Sequence, residues 1–483
     1  MEYKLSNLKP EKVFRYFEEI TAIPHGSRDT KRISDYCVNF AKERGLRYIQ
    51  DAANNVIIFK DGTKGYEQSD AVILQGHLDM VCEKTSDSEH NFDTDPLTLI
   101  VDGDNLTADR TTLGGDDGIA VAYALAILDS DDIEHAPLEV IFTVDEEIGM
   151  LGADSIDLSM LKGKYMLNMD SDEEGIILAS CAGGLTSTVE LDAKYAKKTG
   201  LKVDIAITGL LGGHSGAEIN KGRANANCLL GRLLFNIIEE IDANIISLYG
   251  GSKDNAIPRE SGVSLVIDSS DYDVLSTACD ELQKALSVEY GVTDKDIKIT
   301  LTKDTEGEYN ALVGTSQLKL IFLLVNLPNG IMSMSPDIEG LVETSLNLGI
   351  LLLDEHKAVM GFAIRSSVNS AKIALKNRVR FMAEFVGASY HESGDYPEWA
   401  YKRESRLRDV CNDVFKKQYG HDVKIEAIHA GLECGIIAGK VKDLDIVSFG
   451  PDMKDIHTPN ETLSISSVER VWNFVIQVLK ELK

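Results

Sequence analysis

Residues 71–80 read AVILQGHLDM, and this stretch restricts the fold more than any other part of the chain. Residues 71–74 are apolar on both alternating faces, which predicts a strand buried on both sides of a parallel sheet. In open α/β sheets, ligands bind outside the carboxyl ends of such strands. His77 and Asp79 stand at that end and project to the same side of an extended segment. They are therefore a candidate metal ligand and the carboxylate that orients it, or alternatively two polar residues that only cap a strand.

Three later segments repeat this pattern of a buried strand that ends in polar residues. They are 138–144 (LEVIFTV) before Asp145, Glu146 and Glu147; 164–169 (KYMLNM) before Asp170; and 444–449 (LDIVSF) before the loop that contains His457. A further carboxylate, Asp116, follows two glycines and precedes an apolar helix predicted over 118–128. A carboxylate at the start of a helix is usually only an N-cap, so Asp116 could be either a helix cap or a functional carboxylate.

The composition excludes several classes of partner. The chain has 483 residues, a net charge of −29 and a pI near 4.7, which argues against nucleic acid and anionic membrane surfaces. No apolar run is long enough to span a bilayer, and the N-terminal residues lack the apolar core of a secretory signal. The seven cysteines form no CxxC pair, which is typical of buried thiols in a reducing cytoplasm.

A chain of this length predicts two or three domains. From about residue 184 to about residue 390 the strands alternate inward and outward residues, and two runs of strands and helices follow in the same order. We therefore predict an α/β fold, in which a catalytic domain has a mostly parallel central sheet flanked by helices. An inserted α+β domain, built as a doubled unit, interrupts it. The predicted boundaries are 1–183 and 391–483 for the catalytic domain and 184–390 for the insertion.

The strand-end residues form one candidate metal centre of two imidazoles and three carboxylates: His77, Asp116, Glu147, Asp170 and His457. Mixed nitrogen and oxygen donors suit Zn²⁺, and also Co²⁺ or Mn²⁺. A catalytic ion keeps an open position, so five protein ligands fit two ions that share a bridging carboxylate. Asp116 is the best bridge, because the preceding glycines let its backbone come close. The alternative is that the five are unrelated polar residues at loop ends.

Glu146 is the candidate general base. Its neighbour Glu147 is a candidate ligand, and adjacent residues of an extended segment point to opposite sides. One carboxylate can therefore bind metal while the other faces the substrate. Glu146 would then take a proton from metal-held water and pass it to the leaving amine. The alternative is that Glu146 is a solvated charge at the end of a strand.

Motifs distributed along nearly the whole chain carry a family resemblance: GHLDM, LGGDDG, VDEEIGMLGA, NMDSDEEG, GGHSG, NAIPRES, AIHAGLECG and DIHTPNE. Together they resemble the aminoacyl-histidine dipeptidases (peptidase D, bacterial carnosinase-like enzymes). These belong to the dinuclear zinc peptidases that include tripeptidase and the mammalian carnosinases. GHLDM, DEE and the terminal histidine are shared across that larger family, whereas NAIPRES and HAGLECG point to the dipeptidase branch.

The resemblance implies a role for each residue of the candidate centre. His77 would bind one ion and His457 the other, Asp116 would bridge them, and Glu147 and Asp170 would complete the two sites. Asp79 would orient His77, and Glu146 would be the general base. The peptide bond from Asp116 to Asp117 is implied to be cis. The chain departs from the family pattern at Gly115 and Asp117, where alanine and asparagine are expected. Neither position is a ligand, so the departure affects fine geometry at most.

The inserted domain resembles the family's lid, and two of its residues gain a role from that resemblance. His214, in GLLGGHSG, would stabilise the oxyanion, and Arg365, in VMGFAIRSS, would pair with the terminal carboxylate of the substrate. On the sequence alone His214 could equally be a surface residue of a glycine loop, and Arg365 part of a structural ion pair. Asn255 and Glu433 are further candidates to line the cleft. A doubled lid could supply both His214 and Arg365 from one chain, so we hypothesise an active site complete within one polypeptide.

These observations predict a cytoplasmic dinuclear metallopeptidase that cleaves unblocked dipeptides, including Xaa-His. In that mechanism a metal-bound hydroxide attacks the peptide carbonyl while Glu146 moves the proton. The expected partner is a small peptide, with no nucleic acid and no membrane, and the expected assembly is a monomer or a homodimer. Two alternatives remain: an aminoacylase or deacetylase on the same scaffold, and a metal-free binding module.

Overall fold

The computed structural model describes residues 4–483, which divide into two compact units. Unit 1 holds the chain up to Cys181 together with Tyr401–Ala427 and Leu432–Lys483, and unit 2 holds Ala182–Ala400 and Ile428–Gly431. Unit 2 extends beyond the predicted boundary at 390, because residues 389–396 form an edge strand of its sheet. The assignment of catalytic and lid roles to the two units stays a prediction. No helix within residues 4–483 combines the length and the apolar composition needed to cross a bilayer.

The first part of unit 1 alternates strands and helices. Its elements are α1 (Glu11–Thr21), α2 (Lys31–Glu43), β1 (Arg47–Gln50), β2 (Val56–Lys60), β3 (Val72–His77), β4 (Leu99–Asp102), β5 (Asn105–Ala108), α3 (Gly115–Leu128), β6 (Leu138–Thr143), α4 (Leu151–Ser155), β7 (Tyr165–Asn168) and β8 (Ile176–Cys181). Every residue of β3, β6 and β7 is buried, as expected for apolar runs without an exposed face. Helix α3 is apolar on all sides and lies inside the same core.

Unit 2 is a mixture of long strands and amphipathic helices. Its elements are β9 (Gly183–Asp192), β10 (Tyr195–Thr208), β11 (Gly213–His214), α5 (Ala226–Glu240), β12 (Asn244–Gly250), β13 (Ala256–Ile257), β14 (Ser261–Ile267), α6 (Tyr272–Glu289), β15 (Lys298–Leu312), α7 (Gly314–Asn326), β16 (Gly330–Met334), β17 (Val342–Leu353), β18 (Lys357–Ser366), α8 (Asn369–Phe385) and β19 (Ser389–Tyr396). Short 3₁₀ turns cover Ile219–Lys221 and Ser269–Asp271. These strands and helices enclose an apolar core of their own.

The chain then completes unit 1 with α9 (Arg406–Tyr419), β20 (Lys424–Ile428), α10 (Glu433–Lys440), β21 (Asp445–Ser448), β22 (Met453–Lys454), β23 (Thr462–Ser464) and α11 (Ile465–Glu481). The main sheet has the order β1-β2-β6-β3-β7-β21-β8-β20. Its four central strands, β6, β3, β7 and β21, run parallel, and antiparallel strands flank them. The predicted parallel centre of the sheet is confirmed, and the antiparallel strands on both sides make the whole sheet mixed. The carboxyl ends of these four strands therefore meet at one edge.

Unit 2 is a doubled α+β unit, but its two halves are nested. One half has the chain order β10-α5-β12-β14-α6-β15 and the sheet order β15-β10-β14-β12. The other half has the chain order β9-α7-β17-β18-α8-β19 and the sheet order β19-β9-β18-β17. In both, the first strand lies between the third and the fourth. The half that begins with β10 is inserted into the other half after β9. The two halves form one continuous sheet, because β12 pairs with β17 at Tyr249 and Leu352.

Candidate metal centre and substrate-binding residues

Asp116 lies between two imidazoles. Its Oδ1 is 3.0 Å from Nε2 of His77, and its Oδ2 is 3.1 Å from Nε2 of His457. Each carboxylate oxygen thus faces a different histidine, although the three residues come from distant parts of the chain. A carboxylate that serves two ions is held in this way, with one oxygen directed to each side.

The remaining predicted ligands complete two sets of donors that share Asp116. One set is His77, Asp116 and Asp170, and the other is Asp116, Glu147 and His457; within each set the ligand atoms lie within 4.8 Å of one another. Oε1 of Glu147 is 3.0 Å from Nε2 of His457, and Oδ1 of Asp170 is 3.9 Å from Nε2 of His77. The structure therefore brings together all five residues that the sequence analysis grouped.

The chemistry of these donors fits divalent cations. Each set contains one imidazole and two carboxylates, which is the mixed nitrogen and oxygen environment that Zn²⁺ and similar ions accept. Oε1 of Glu147 is buried and has no hydrogen bond within residues 4–483, although it lies 3.0 Å from Nε2 of His457. A buried carboxylate oxygen without a hydrogen bond is costly unless a cation satisfies it. The residues present thus fit two ions with Asp116 between them.

The backbone explains how the ligands reach one place. His77 ends β3, and Asp170 follows β7. Asp116 stands at the start of α3 with a non-helical ψ of 107°, and its bond to Asp117 is cis, as the resemblance implied. His457 has a φ of 63°, in the left-handed region. A Cβ atom on Gly76 would lie only 2.6 Å from Oδ2 of Asp117, so glycine permits β3 and α3 to approach each other.

Asp79 lies beside His77, which it was predicted to orient, and it has further contacts that were not predicted. Nδ1 of His77 is 2.9 Å from the backbone oxygen of Asp79 but 3.6 Å from its Oδ1. If Nδ1 donates to the backbone carbonyl, Nε2 is the nitrogen that a neutral His77 would offer to a metal. The Asp79 carboxylate accepts hydrogen bonds from the backbone N–H groups of Glu146 and Glu147 (3.0 and 3.3 Å) and from Oγ of Ser27 (2.8 Å). It orients the glutamate pair directly.

The electrostatics of the centre are those of crowded carboxylates. Burial raises the pKa of Glu146 to about 9, and the charges of Asp170, Glu433 and Glu147 add to the rise while His77 opposes it. Burial likewise raises the pKa of Asp170 to about 7. The hydrogen bond to Asp116 and the nearby negative charge of Glu147 raise the pKa of His457 to about 10. Cations bound among these groups would reverse the shifts, because they stabilise the carboxylates and require neutral imidazoles.

Glu433 lies in the core of unit 1 and is fully buried. Its Oε2 accepts hydrogen bonds from Nε2 of Gln75 (2.5 Å) and from Oγ1 of Thr143 (2.7 Å), and Gln75 in turn accepts one from Asn168 (2.5 Å). Gln75, Thr143 and Asn168 belong to β3, β6 and β7. This network ties the ends of three ligand-bearing strands together. Sequence reasoning missed it, although polar residues inside three apolar strands were a visible signal.

Within unit 2, His214 and Arg365 are neighbours. Nη2 of Arg365 is 3.5 Å from Nε2 of His214, and Nη1 donates a hydrogen bond of 2.9 Å to the hydroxyl of Tyr396. Burial and the charge of Arg365 lower the pKa of His214, so the imidazole is neutral near pH 7. Nε of Arg365 is buried without a hydrogen bond. No carboxylate among residues 4–483 forms a salt bridge with Arg365, which does not support the structural ion pair considered above.

Two further residues of unit 2 stand near this pair. Asn255 and His214 line one cleft. His429 accepts or donates a 2.8 Å hydrogen bond with Oγ of Ser345, and burial beside Arg365 and His214 lowers the pKa of its imidazole to about 3. A Cβ atom on Gly216 would lie 2.5 Å from the backbone oxygen of His429, 3.0 Å from Cε1 of His214 and 3.2 Å from Nε of Arg365, so the last glycine of GGHSG leaves room for all three residues. His429 was not among the predicted site residues.

Comparisons with known proteins bear on both units. The sequence profile of peptidase family M20/M25/M40 matches residues 73–481. The cytosol non-specific dipeptidase of Escherichia coli is 36% identical over 481 residues, which cover 99% of each chain. The crystal structure of aminoacylhistidine dipeptidase from Vibrio alginolyticus has a TM-score of 0.94 at 36% identity, covering 99% of this chain and 98% of that one.

A more distant structure shares the fold. A tripeptidase from Staphylococcus aureus aligns with a TM-score of 0.54 at 14% identity, covering 98% of this chain and 99% of that one. An identity this low supports the fold and nothing finer. The agreement with the Vibrio alginolyticus structure confirms the predicted fold class, an α/β unit with an inserted α+β unit.

Proposed function

This chain belongs to peptidase family M20/M25/M40, and from that premise we propose that it hydrolyses unblocked dipeptides, Xaa-His among them, at a centre of two divalent ions. It is a metal-dependent peptidase, and its full-length relatives are dipeptidases by name. The observation that carries the proposal is the placement of Asp116, whose two carboxylate oxygens each face a different imidazole at 3.0 and 3.1 Å. A binding module without metal would have no use for that arrangement.

We assign His77, Asp116, Glu147, Asp170 and His457 as the residues that hold the ions. Two such ions, when bound, would supply Lewis acidity and would lower the pKa of bound water. Glu146 is the general base: it takes a proton from the attacking water and delivers it to the leaving amine. Asp79 keeps Glu146 in place through the hydrogen bond that its Oδ1 accepts from the Glu146 N–H (3.0 Å).

For the substrate we propose two contacts from unit 2. Arg365 binds the terminal carboxylate, and its buried, unpaired Nε is a donor that such a ligand would satisfy. His214 donates to the oxyanion that develops on the scissile carbonyl, in the neutral form that its lowered pKa favours. A carboxylate-binding arginine next to the reacting carbonyl selects short peptides, because the free carboxylate has to follow the scissile bond closely.

The remaining parts of the proposal concern the ion, the compartment and the assembly. We propose Zn²⁺ as the native ion, with Co²⁺ and Mn²⁺ as competitors, since the donors are two imidazole nitrogens and carboxylate oxygens. We propose a cytoplasmic enzyme, in line with the cytosolic relative from Escherichia coli and with seven cysteines that form no disulfide. The active protein is a monomer or a homodimer.

The test is reconstitution of the metal-free protein with single ions. Protein stripped by a chelator is reloaded with Zn²⁺, Co²⁺ or Mn²⁺ and assayed on a panel of free dipeptides, including Xaa-His, and on N-acetyl amino acids. We expect two ions per chain at full activity and hydrolysis of the dipeptides alone. Preferential cleavage of N-acetyl amino acids would favour the aminoacylase alternative. A stripped protein that keeps its activity, or a loaded one with no hydrolysis, would contradict the proposal.

A further inference from the structure

Glu461 is a buried carboxylate whose contacts are backbone N–H groups. It lies in the loop between β22 and β23, and only 2% of its surface is exposed. Its Oε2 accepts hydrogen bonds from the N–H groups of Leu113 (2.7 Å) and Gly114 (3.2 Å). Its Oε1 accepts them from Gly115 (2.8 Å) and Asp116 (3.4 Å). Four consecutive N–H groups thus surround one carboxylate, which is the arrangement of an anion-binding nest.

Among residues 4–483 no cationic side chain forms a salt bridge with Glu461, so the partners of its carboxyl group are the backbone N–H groups. The loop that encloses it depends on Gly114, which has a φ of +68°. A Cβ atom on Gly115 would lie 3.1 Å from Oε1 of Glu461, which leaves little room for the alanine expected there.

The position of Glu461 in the chain links two candidate ligands. Asp116 belongs to the loop that Glu461 holds, and His457 lies one short turn before Glu461. The Glu461 N–H closes that turn by donating to the oxygen of Thr458 (3.1 Å), and the Glu461 carbonyl anchors the end of the turn by accepting from Oγ1 of Thr107 (2.9 Å). One residue therefore fastens the loop of His457 to the loop of Asp116.

We propose that Glu461 is a positioning residue for the metal centre: it holds the side chains of Asp116 and His457 at the distance from each other that the ions require, before an ion binds. The inference rests on the proposed function, since it assumes that these two residues bind metal. A ligand pair that is already in place loses less conformational freedom on binding, so the ion binds more tightly. Residues behind the ligands of metal sites act in this way, and their loss typically weakens metal affinity about 10- to 100-fold.

The test compares Glu461→Gln with Glu139→Gln. Glu139 is a matched control, because it is also buried and accepts hydrogen bonds of 2.9 to 3.0 Å from the backbone N–H groups of Lys162 and Gly163. It lies near the start of β6, whereas the candidate ligand Glu147 follows the end of that strand. In Glu461→Gln an amide NH₂ replaces an oxygen and faces two N–H donors. Both variants should lower the melting temperature. Only Glu461→Gln should weaken Zn²⁺ binding, about 10- to 100-fold in chelator competition, and alter the visible spectrum of the Co²⁺-loaded protein.

Each outcome decides the proposal. If Glu461→Gln binds Zn²⁺ within twofold of the unsubstituted protein and its Co²⁺ spectrum is unchanged, Glu461 is only a structural carboxylate. If Glu461→Gln does not fold, Glu461→Asp takes its place, because it keeps the charge but is one methylene shorter. Failure of both to fold would also overturn the proposal. Failure of the unsubstituted protein to bind two ions would instead contradict the proposed function, so the two failures are distinguishable.

Discussion

At the scale of single residues, Glu146 and Glu147 show how adjacent carboxylates acquire different chemistry. Both backbone N–H groups donate to the carboxylate of Asp79, at 3.0 and 3.3 Å. The Glu147 side chain approaches His457 at 3.0 Å. Within residues 4–483 the Glu146 side chain has no hydrogen-bond partner, and burial raises its pKa to about 9. This difference agrees with the proposed roles, in which Glu147 holds a cation and Glu146 exchanges a proton.

Replacing Glu146 by glutamine is expected to stop turnover while metal content stays at two ions per chain. The amide keeps the shape of the side chain but cannot accept a proton, and general base catalysis typically contributes about 10²- to 10⁴-fold. The measurement is kcat on a free dipeptide together with elemental analysis of the same sample. Glu147→Ala is the paired control, and it should lose one ion. Near-normal turnover in Glu146→Gln would contradict the assignment of the base.

At the scale of secondary-structure elements, the centre depends on how closely β3 approaches the start of α3. Gly76 is the contact point, where a Cβ atom would meet Oδ2 of Asp117 at 2.6 Å and Cβ of Ala120 at 2.8 Å. The Asp117 carboxylate also accepts the N–H of His77 at 3.1 Å. A side chain at position 76 would therefore push apart the two elements that carry His77 and Asp116.

Gly76→Ala is accordingly expected to lower the free energy of unfolding by about 1–3 kcal/mol, the usual cost of overpacking, and to weaken metal binding as well. Urea denaturation with and without Zn²⁺ measures both effects. Gly314→Ala is the control, because a Cβ atom there would meet nothing within 4 Å at the first residue of α7. That variant should be neutral or slightly more stable. Equal stability of the two variants would show that the contact at Gly76 is unimportant.

The same scale separates what the sequence could predict from what it could not. Apolar runs that stop at polar residues were enough to predict β3, β6 and β7, and parallel strands then bring His77, Glu147 and Asp170 to one edge. The nesting of unit 2 has no local signal, because strand pairing such as β12 with β17 is decided by tertiary contacts. The carboxylate contacts of Asp79 and Glu461 were equally hidden, since most of their partners are backbone N–H groups, which every residue except proline has.

At the scale of the whole molecule, the doubled unit 2 leads to a prediction about subunits. His214 comes from one half of unit 2 and Arg365 from the other, and the two side chains are 3.5 Å apart within a single chain. One polypeptide can therefore supply both substrate contacts. A mixture of His214→Ala and Glu146→Gln chains should recover no activity beyond the sum of the two, with size-exclusion chromatography as the measure of assembly. Recovered activity would mean that His214 acts on the substrate of a partner subunit.

The metal-free protein is expected to lose stability as the pH rises from about 7 to about 9. Glu146 has a pKa of about 9 in the folded chain against an ordinary value of 4.5, and His457 has about 10 against 6.5. In both cases the folded chain binds protons that the unfolded chain has already released in this interval. The free energy of unfolding therefore falls with rising pH, because the folded state has to hold protons against a decreasing proton concentration.

Loading with Zn²⁺ should remove this dependence, because cations replace those protons and binding releases them. The increase in melting temperature caused by Zn²⁺ should accordingly grow between about pH 7 and about pH 9. Glu146→Gln, which cannot titrate, should show a shallower slope than the unsubstituted protein in the metal-free form. Thermal melts at several pH values, with and without the ion, test all three statements. A metal-free protein whose stability is constant or rises over this interval would mean that the buried carboxylates and histidines are not coupled as the contacts around Asp116 require.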